Sequence, residues 1–309
     1  MLAADRERGT ISLIGAQPTT VSSIVTLRIG LRFAVVVGVT LLAALVGVVA
    51  AGVPFAMDTW SRVGIWTLAT GLYGAFWFAV AMAIAARGAS GATTALAAGG
   101  AWLVLVVIVP AAVNVVTGAL YPMPSRVQMV QVMREASDEA SARGSTLLAQ
   151  YFEAHPDLLP DGGQHVADAA AIRAAVADEV QRLVRPVAET FDAQATHQRL
   201  LAARLRFLSP ALLLRGVLDD VTGTGAVRYE TFTTQVTAFH DAWREHFTVL
   251  AVARQPVESI AAVPVFTFVD ESAGDVARRA CPALAVLAAG ACVLGGIFVH
   301  SMRRYSCAR

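Results

Sequence analysis

The 309 residues are 56% hydrophobic and 15% charged, with a mean hydropathy of +0.59 and a net charge of +1. That balance lies above the range of soluble globular domains and excludes a chain whose apolar residues all fit one aqueous core. Lysine is absent, so a standard phosphate-binding Gly-x-x-x-x-Gly-Lys loop is excluded and arginine supplies every fixed positive charge.

Residues 1–28 form a polar lead-in, Asp5-Arg6-Glu7-Arg8-Gly9-Thr10 followed by Ile11-Ser12-Leu13-Ile14 and Gln17-Pro18. The pattern fits either a short amphipathic segment at a membrane surface or a disordered tail. A helical span needs about 20 apolar residues, because the hydrocarbon core is about 30 Å thick and each residue rises about 1.5 Å. Residues 33–57 and 63–86 contain no Asp, Glu, Lys or Arg and are long enough. So are residues 95–120, within the charge-free run 88–125, and residues 281–302. The first run is too long for a secretory signal and lacks a small-residue cleavage site, so an uncleaved anchor is expected. In hydrocarbon only helix bonds every backbone group within such isolated runs. The predicted fold is an all-α membrane protein: three spans within residues 29–120, a mostly helical domain over 121–279, a fourth span over 280–302 and a tail over 303–309.

Basic residues set the predicted orientation. Arg6, Arg8, Arg28, Arg32, Arg87, Arg303, Arg304 and Arg309 fall on the side of both termini, against Asp5 and Glu7 alone. The opposite short loop holds Asp58 and Arg62. The positive-inside rule then makes both termini cytoplasmic and residues 126–279, with 15 Arg and 20 acidic residues, extracytoplasmic. Two of the three cysteines, Cys281 and Cys292, fall in the last span and Cys307 in the tail, so no disulfide is expected in the outer domain.

In the third span Pro110, Asn114 and Thr117 share one helical face. The reading is a proline kink whose polar neighbours serve either helix packing or a pathway. Gly99, Gly100, Gly295 and Gly296 suggest close helix approaches. The outer domain reads as helices over 125–152, with Ser125 as N-cap, over 166–208 with a bend at Pro186, and from Tyr229 to Leu250. Between the first two, the run from His155-Pro156 to Gly163 is a strong breaker. In the last helix Phe232, Val236, Phe239, Trp243, Phe247 and Leu250 recur at spacings of three and four, a stripe that reads as packed core.

No catalytic constellation is present. His155, His165, His197, His240, His246 and His300 occupy no metal-ligand spacing, and His240 and His246 point apart on one helix. There is no Gly-x-Ser-x-Gly elbow and no cysteine in the outer domain to pair with its histidines. The apolar runs carry no ionisable group of the kind that ion-coupled transporters keep in the membrane, which disfavours secondary transport. No cofactor, metal, nucleic-acid partner or enzymatic activity is expected of the chain itself.

Glu7-Arg8-Gly9-Thr10, with Ile11, Leu13 and Gln17-Pro18 ahead of a span, resembles the cytoplasmic coupling segment of type-2 ABC exporter permeases. The rest is similar to a bacterial subfamily of these permeases with a large, uncharacterised extracytoplasmic helical domain. The residues that carry the likeness are Pro110 and Asn114, then Tyr121, Pro122, Pro124, Ser125 and Arg126, His155-Pro156 with Leu158, Leu208-Ser209-Pro210-Ala211, and Gly223-Thr224-Gly225 leading to Arg228 and Phe232. The resemblance implies a permease subunit in the bacterial inner membrane. It would couple through Glu7, Arg8, Gly9 and Thr10 to a separate ATPase subunit that hydrolyses the ATP, and pair with a second permease subunit of the same or another kind. Such permeases usually have six spans, and this chain carries two fewer. The alternative expectation is a non-transporting membrane assembly or scaffold protein whose outer helices bind an extracytoplasmic partner.

Overall fold

The computed structural model describes residues 21–87, 90–123, 125–144, 146, 153, 169–252, 255–257, 259, 261 and 263–307. It is all-α, with no strand among the described residues. In chain order the helices are α1 (Val21–Ala50), α2 (Met57–Ala85), α3 (Gly91–Leu103), α4 (Val109–Leu120), α5 (Arg126–Ala142), α6 (Ala169–Leu205), α7 (Pro210–Thr222), α8 (Ala226–Val252) and α9 (Ala273–Cys307). Four stretches are long and apolar enough to cross a bilayer: Thr26–Ala50, Met57–Ala85, Gly91–Leu120 and Ala273–Ser301. The protein is a membrane protein of four spans.

The spans begin and end where local chemistry dictates. α1 stops at Ala50 instead of running on to residue 57, because Gly52 takes a left-handed φ of 64° and Pro54 follows. The helices of the second and fourth spans start earlier than their apolar runs. α2 takes in Asp58 and Arg62, and α9 takes in Asp275, Arg278 and Arg279, so each begins with a charged turn. Ser90 caps α3 by accepting the Thr93 N–H at 3.2 Å.

The residues form two compact units. The first comprises the described residues up to Asn114, Ala203–Arg228 and those from Asp270 onward. Its core is Ala69 of α2, Leu213 and Val217 of α7, and Ala280, Ala283 and Leu287 of α9, with Ile65, Leu72, Tyr73 and Leu284 packed around them. α9 approaches α2 at Gly290, where a Cβ would meet the Phe76 ring at 3.1 Å, and α1 meets α2 at Gly74, with Phe33 and Phe78 edge to face at 5.3 Å. Gly99, Gly100, Gly295 and Gly296 have nothing within 4 Å, so the expected close approaches lie at other glycines. The most apolar stretch of Thr26–Ala50 has no buried residue. A helix that exposes Leu31, Val35, Val39, Leu42 and Val46 together is tolerated where lipid is the solvent.

The second unit comprises Val115–Ala202 and Tyr229–Val269. Ser125 caps α5 as its sequence predicts, accepting the Val127 N–H at 3.2 Å. α5 and α6 meet at the buried Ala140 and Ala175. α6 continues through Pro186 without interruption, and ends at Leu205 before a 3₁₀ turn, Arg206–Leu208. α6 and α8 are tied by ion pairs of Arg199 with Glu230 and of Arg244 with Asp178. The aromatic stripe of α8 packs as expected in part. Phe232 and Phe239 are covered by Phe266 and Phe268, at centroid distances of 5.4–5.9 Å, while Phe232 and Trp243 stay about two-fifths exposed.

Candidate functional site

Pro110 has no N–H, and its ring disfavours the ordinary helical turn before it. The third span answers with a π turn, Val104–Ile108, in which the Val109 N–H reaches the Val104 carbonyl five residues back. Carried one residue on, that register would pair position 110 with the Leu105 carbonyl. Proline cannot make the bond, so Leu105 is left with an orphan acceptor.

Ser209 supplies the missing donor. Its hydroxyl donates to the Leu105 carbonyl at 2.5 Å, and its oxygen accepts the N–H groups of Ala211 and Leu212 at 3.2 and 3.4 Å. Ser209 is wholly buried and is also the N-cap of α7, with Pro210 at the first helical position, where a missing N–H does no harm. One hydroxyl therefore starts α7 and repairs the break in the third span. Leu105 lies at the middle of the 30-residue span Gly91–Leu120. With that span crossing the bilayer, Ser209 lies near the mid-plane. α7, 13 residues or about 20 Å long, is too short to cross.

The other end of α7 stops at Gly223, which takes a left-handed φ of 71° and turns the chain back, with the Thr224 and Gly225 N–H groups bonded to the Asp219 carbonyl. A Cβ at Gly225 would meet Asp220 Oδ1 at 2.9 Å and the Asp219 backbone at 3.4 Å, so a side chain there would displace the Asp220 carboxylate. Around this end lies a network of charges from α2, α7, α9 and the segment before α9. Arg62 donates to Asp58 Oδ2 at 2.8 Å, to the Glu271 carbonyl at 2.8 Å and to the Val221 carbonyl at 3.5 Å. Asp58 Oδ1 in turn accepts the Ala273 N–H at 2.6 Å, which caps α9 from α2. Arg279 sits between two carboxylates, with Nη2 at 2.6 Å from Glu271 Oε2 and Nε at 3.7 Å from Asp220 Oδ2. These are charge contacts without hydrogen-bond alignment. Arg279 Nε and Nη2, Glu271 Oε1 and Arg206 Nε are buried with no hydrogen-bond partner among the described residues. Arg206 lies just before Ser209 and runs its guanidinium beside Gly216, toward Asp220.

The carboxyls of the two aspartates of this region are shifted in opposite directions. Burial pushes the Asp220 carboxyl above the usual range and Glu271 adds to this, while Arg279 and Arg206 pull it back. Asp270 is lowered, first by the bidentate Arg228 guanidinium at 2.9 and 3.0 Å. Arg228 also donates to the Gly223 carbonyl at 3.2 Å, which ties the turn after α7 to the segment before α9.

The structure joins two groups of sequence-predicted residues that lie about a hundred positions apart. Ser209 meets the third span at Leu105, in the π turn that precedes Pro110. Thr117 is buried, whereas Asn114 lies on the exposed side of its helix. Pro122 is exposed and Ser125 caps α5. Glu7, Arg8, Gly9, Thr10, Pro124, His155 and Pro156 lie outside the described residues. The charges of Arg206, Asp220, Glu271 and Arg279 were not foreseen as a group. The available signal was Ser209-Pro210 followed by an apolar run and Gly223, a start and a stop for a helix. No set of His, Cys, Asp and Glu able to hold a metal occurs among the described residues.

A family model described as a domain of unknown function, DUF3526, matches residues 126–269. No curated protein and no solved structure matches the chain.

Proposed function

We propose that the chain is the membrane-spanning permease subunit of an ATP-driven exporter of the bacterial cytoplasmic membrane. Both termini are cytoplasmic in this reading, and the region matched by the domain of unknown function, apart from Ser209 and α7, is extracytoplasmic. The observation that carries it is Glu7-Arg8-Gly9-Thr10 with Gln17-Pro18 ahead of the first span, the pattern of a segment that docks on a separate ATPase. The membrane unit offers a mechanical counterpart. The third span is broken at Pro110, and the break is held by a helix whose far end is clasped by α2 and α9. A displacement of the spans therefore reaches α7 through both ends, and α7 is short enough to tilt within one leaflet. ATP is bound and hydrolysed by the partner subunit, and a second permease subunit completes the pathway, since four helices alone enclose little space.

The test is co-purification. With Glu7, Arg8 and Thr10 changed together to alanine, an ATPase subunit that co-purifies with the unaltered chain is expected to be lost from the detergent-solubilised complex while the chain stays in the membrane. Undiminished association would overturn the coupling role and favour a membrane scaffold whose outer domain holds an extracytoplasmic partner.

A further inference from the structure

Among the described residues of 121–269 the most exposed large apolar side chains are Val265 at 81%, Val127 at 74%, Val269 at 69% and Tyr229 at 67%. Their places in the chain are not scattered. Val127 follows the third span, which ends at Leu120, by only seven residues. Tyr229 comes directly after Arg228 and Val269 directly before Asp270, the two residues at which the second unit joins the unit of the spans. Trp243, Val249 and Val257, farther from these points along the chain, are half exposed or less. The level of the Arg228 and Asp270 junction follows from α7. That helix starts near the mid-plane at Ser209 and is about 20 Å long, so Gly223 at its end stands at most about 20 Å from the mid-plane however α7 tilts. Half a bilayer with its headgroups is about 20–22 Å thick. Arg228 donates to the Gly223 carbonyl at 3.2 Å and to the Asp270 carboxylate at 2.9 and 3.0 Å. Tyr229 and Val269, their neighbours in the chain, therefore start from the headgroup layer.

The segment before Asp270 is fixed in place. Gln235 donates to the Val269 carbonyl at 2.8 Å and accepts the Val269 N–H at 2.9 Å, while Phe266 and Phe268 pack on Phe232 at 5.9 and 5.7 Å. With those rings turned inward, Val265, Thr267 and Val269 are left exposed. Tyr229 precedes Phe232 by one turn on the same side of α8. The exposed set of two valines, a threonine and a tyrosine carries no charge, and apolar bodies with hydroxyl tips suit the interfacial layer of a bilayer. The unit of the spans has the same chemistry at its outer mouth, where Phe55 stacks on Trp60 at 5.6 Å and Phe55 and Met57 are exposed. We infer that Tyr229, Val265, Thr267 and Val269 are seated at the boundary between headgroups and acyl chains of the outer leaflet, with lipid as their cover. Lipid already meets every open surface at that level, whereas a protein partner would have to displace it. The inference rests on the crossing of the four spans and is independent of the ATPase coupling, so the co-purification result does not bear on it.

Fluorescence quenching of the full chain in lipid nanodiscs tests the seating. In a background with Cys281, Cys292 and Cys307 replaced by serine, Val265→Cys and Val269→Cys each carry a bimane label. Both labels are expected to emit at shorter wavelength than in water and to lose emission when part of the lipid is replaced by phospholipid with a nitroxide on the upper acyl chain. Asp241→Cys, exposed and on the side of α8 opposite Phe232, is expected to keep its emission. Labels at Val265→Cys and Val269→Cys that resist the nitroxide lipid as Asp241→Cys does would overturn the inference. Resistance combined with short-wavelength emission would mean that a protein surface covers the patch in place of lipid. Equal quenching at Asp241→Cys would mean that the nitroxide reports the disc as a whole, and would overturn the inference as well.

Discussion

Ser209→Ala is expected to destabilise the protein by about 2–4 kcal/mol, read as loss of folded protein on heating in detergent. Two terms combine. An orphaned buried carbonyl costs about 1–3 kcal/mol, and loss of an N-cap about 1 kcal/mol more. Ser209→Gly separates them, because glycine serves nearly as well as a cap yet gives Leu105 no donor. It should recover only the smaller term. The proline supplies a sharper check. Pro110→Ala restores a backbone N–H one residue beyond the Val109 to Val104 bond, so it can satisfy the carbonyl that Ser209 now serves. Ser209→Ala should therefore cost less in the Pro110→Ala background than alone, a coupling of about 1 kcal/mol or more between residues a hundred positions apart in sequence. Strict additivity of the two changes would mean that Ser209 acts only as a helix cap.

The second large effect is expected at Arg279. Its guanidinium separates Asp220 and Glu271, whose side chains are only 13% and 10% exposed. Removing one partner of a buried ion group leaves uncompensated charge, at a cost of about 3–5 kcal/mol, and the partial exposure of Arg279 places the effect toward the lower figure. The pH dependence follows from Asp220. Its folded-state pKa is already raised by burial, and loss of Arg279 removes a group that lowers it. A carboxyl whose folded pKa exceeds its unfolded value holds its proton longer in the native state. Its contribution to stability is thus greatest below the unfolded pKa and is lost as pH rises through the folded one. Arg279→Ala should accordingly recover stability on mild acidification, and Asp220→Asn should recover part of it at neutral pH. Asp270 has the opposite sign. Its pKa is lowered by Arg228, so its contribution is present above the unfolded pKa and fades in acid. Uniform loss of stability on acidification of Arg279→Ala would remove Asp220 from the account.

The architecture was legible wherever one physical rule dominated. Charge-free runs long enough to cross a bilayer announce themselves, and the four spans stand where such runs stand. Ser125 was readable as a cap because a cap is local. Boundaries were less so. Residues 51–57 are as apolar as the helix before them, and only the conformations of Gly52 and Pro54 end it. Likewise α2 and α9 extend into charged turns because Asp58 and Arg62 bond to the start of α9 across more than two hundred residues, a pairing no local pattern contains. The stripe on α8 was visible, but its cover was not, since Phe266 and Phe268 come from a segment outside the helices that carries no helical periodicity.

The candidate site shows the same division. Pro110 and Ser209-Pro210 were each conspicuous, the first as a break in an apolar run and the second as a helix start. Their meeting was not readable, because it depends on a carbonyl freed by one and a hydroxyl offered by the other. α7 could not be read as a span, because Arg215 interrupts its apolar run and 13 residues fall short of the length a span needs. Arg215 is exposed and pairs with Asp219 one turn on.

The most direct measurement is a cysteine-accessibility map of the chain in intact, right-side-out cells, made in a background with Cys281, Cys292 and Cys307 replaced by serine and single cysteines restored or introduced. The account predicts that Ala238→Cys reacts with a membrane-impermeant maleimide from outside, that Val39→Cys stays unreactive until the membrane is dissolved, and that Cys307 reacts only after permeabilisation. Labelling of Ala238→Cys only after permeabilisation, or ready aqueous labelling of Val39→Cys, would contradict the division into four lipid-embedded spans and an outer helical domain.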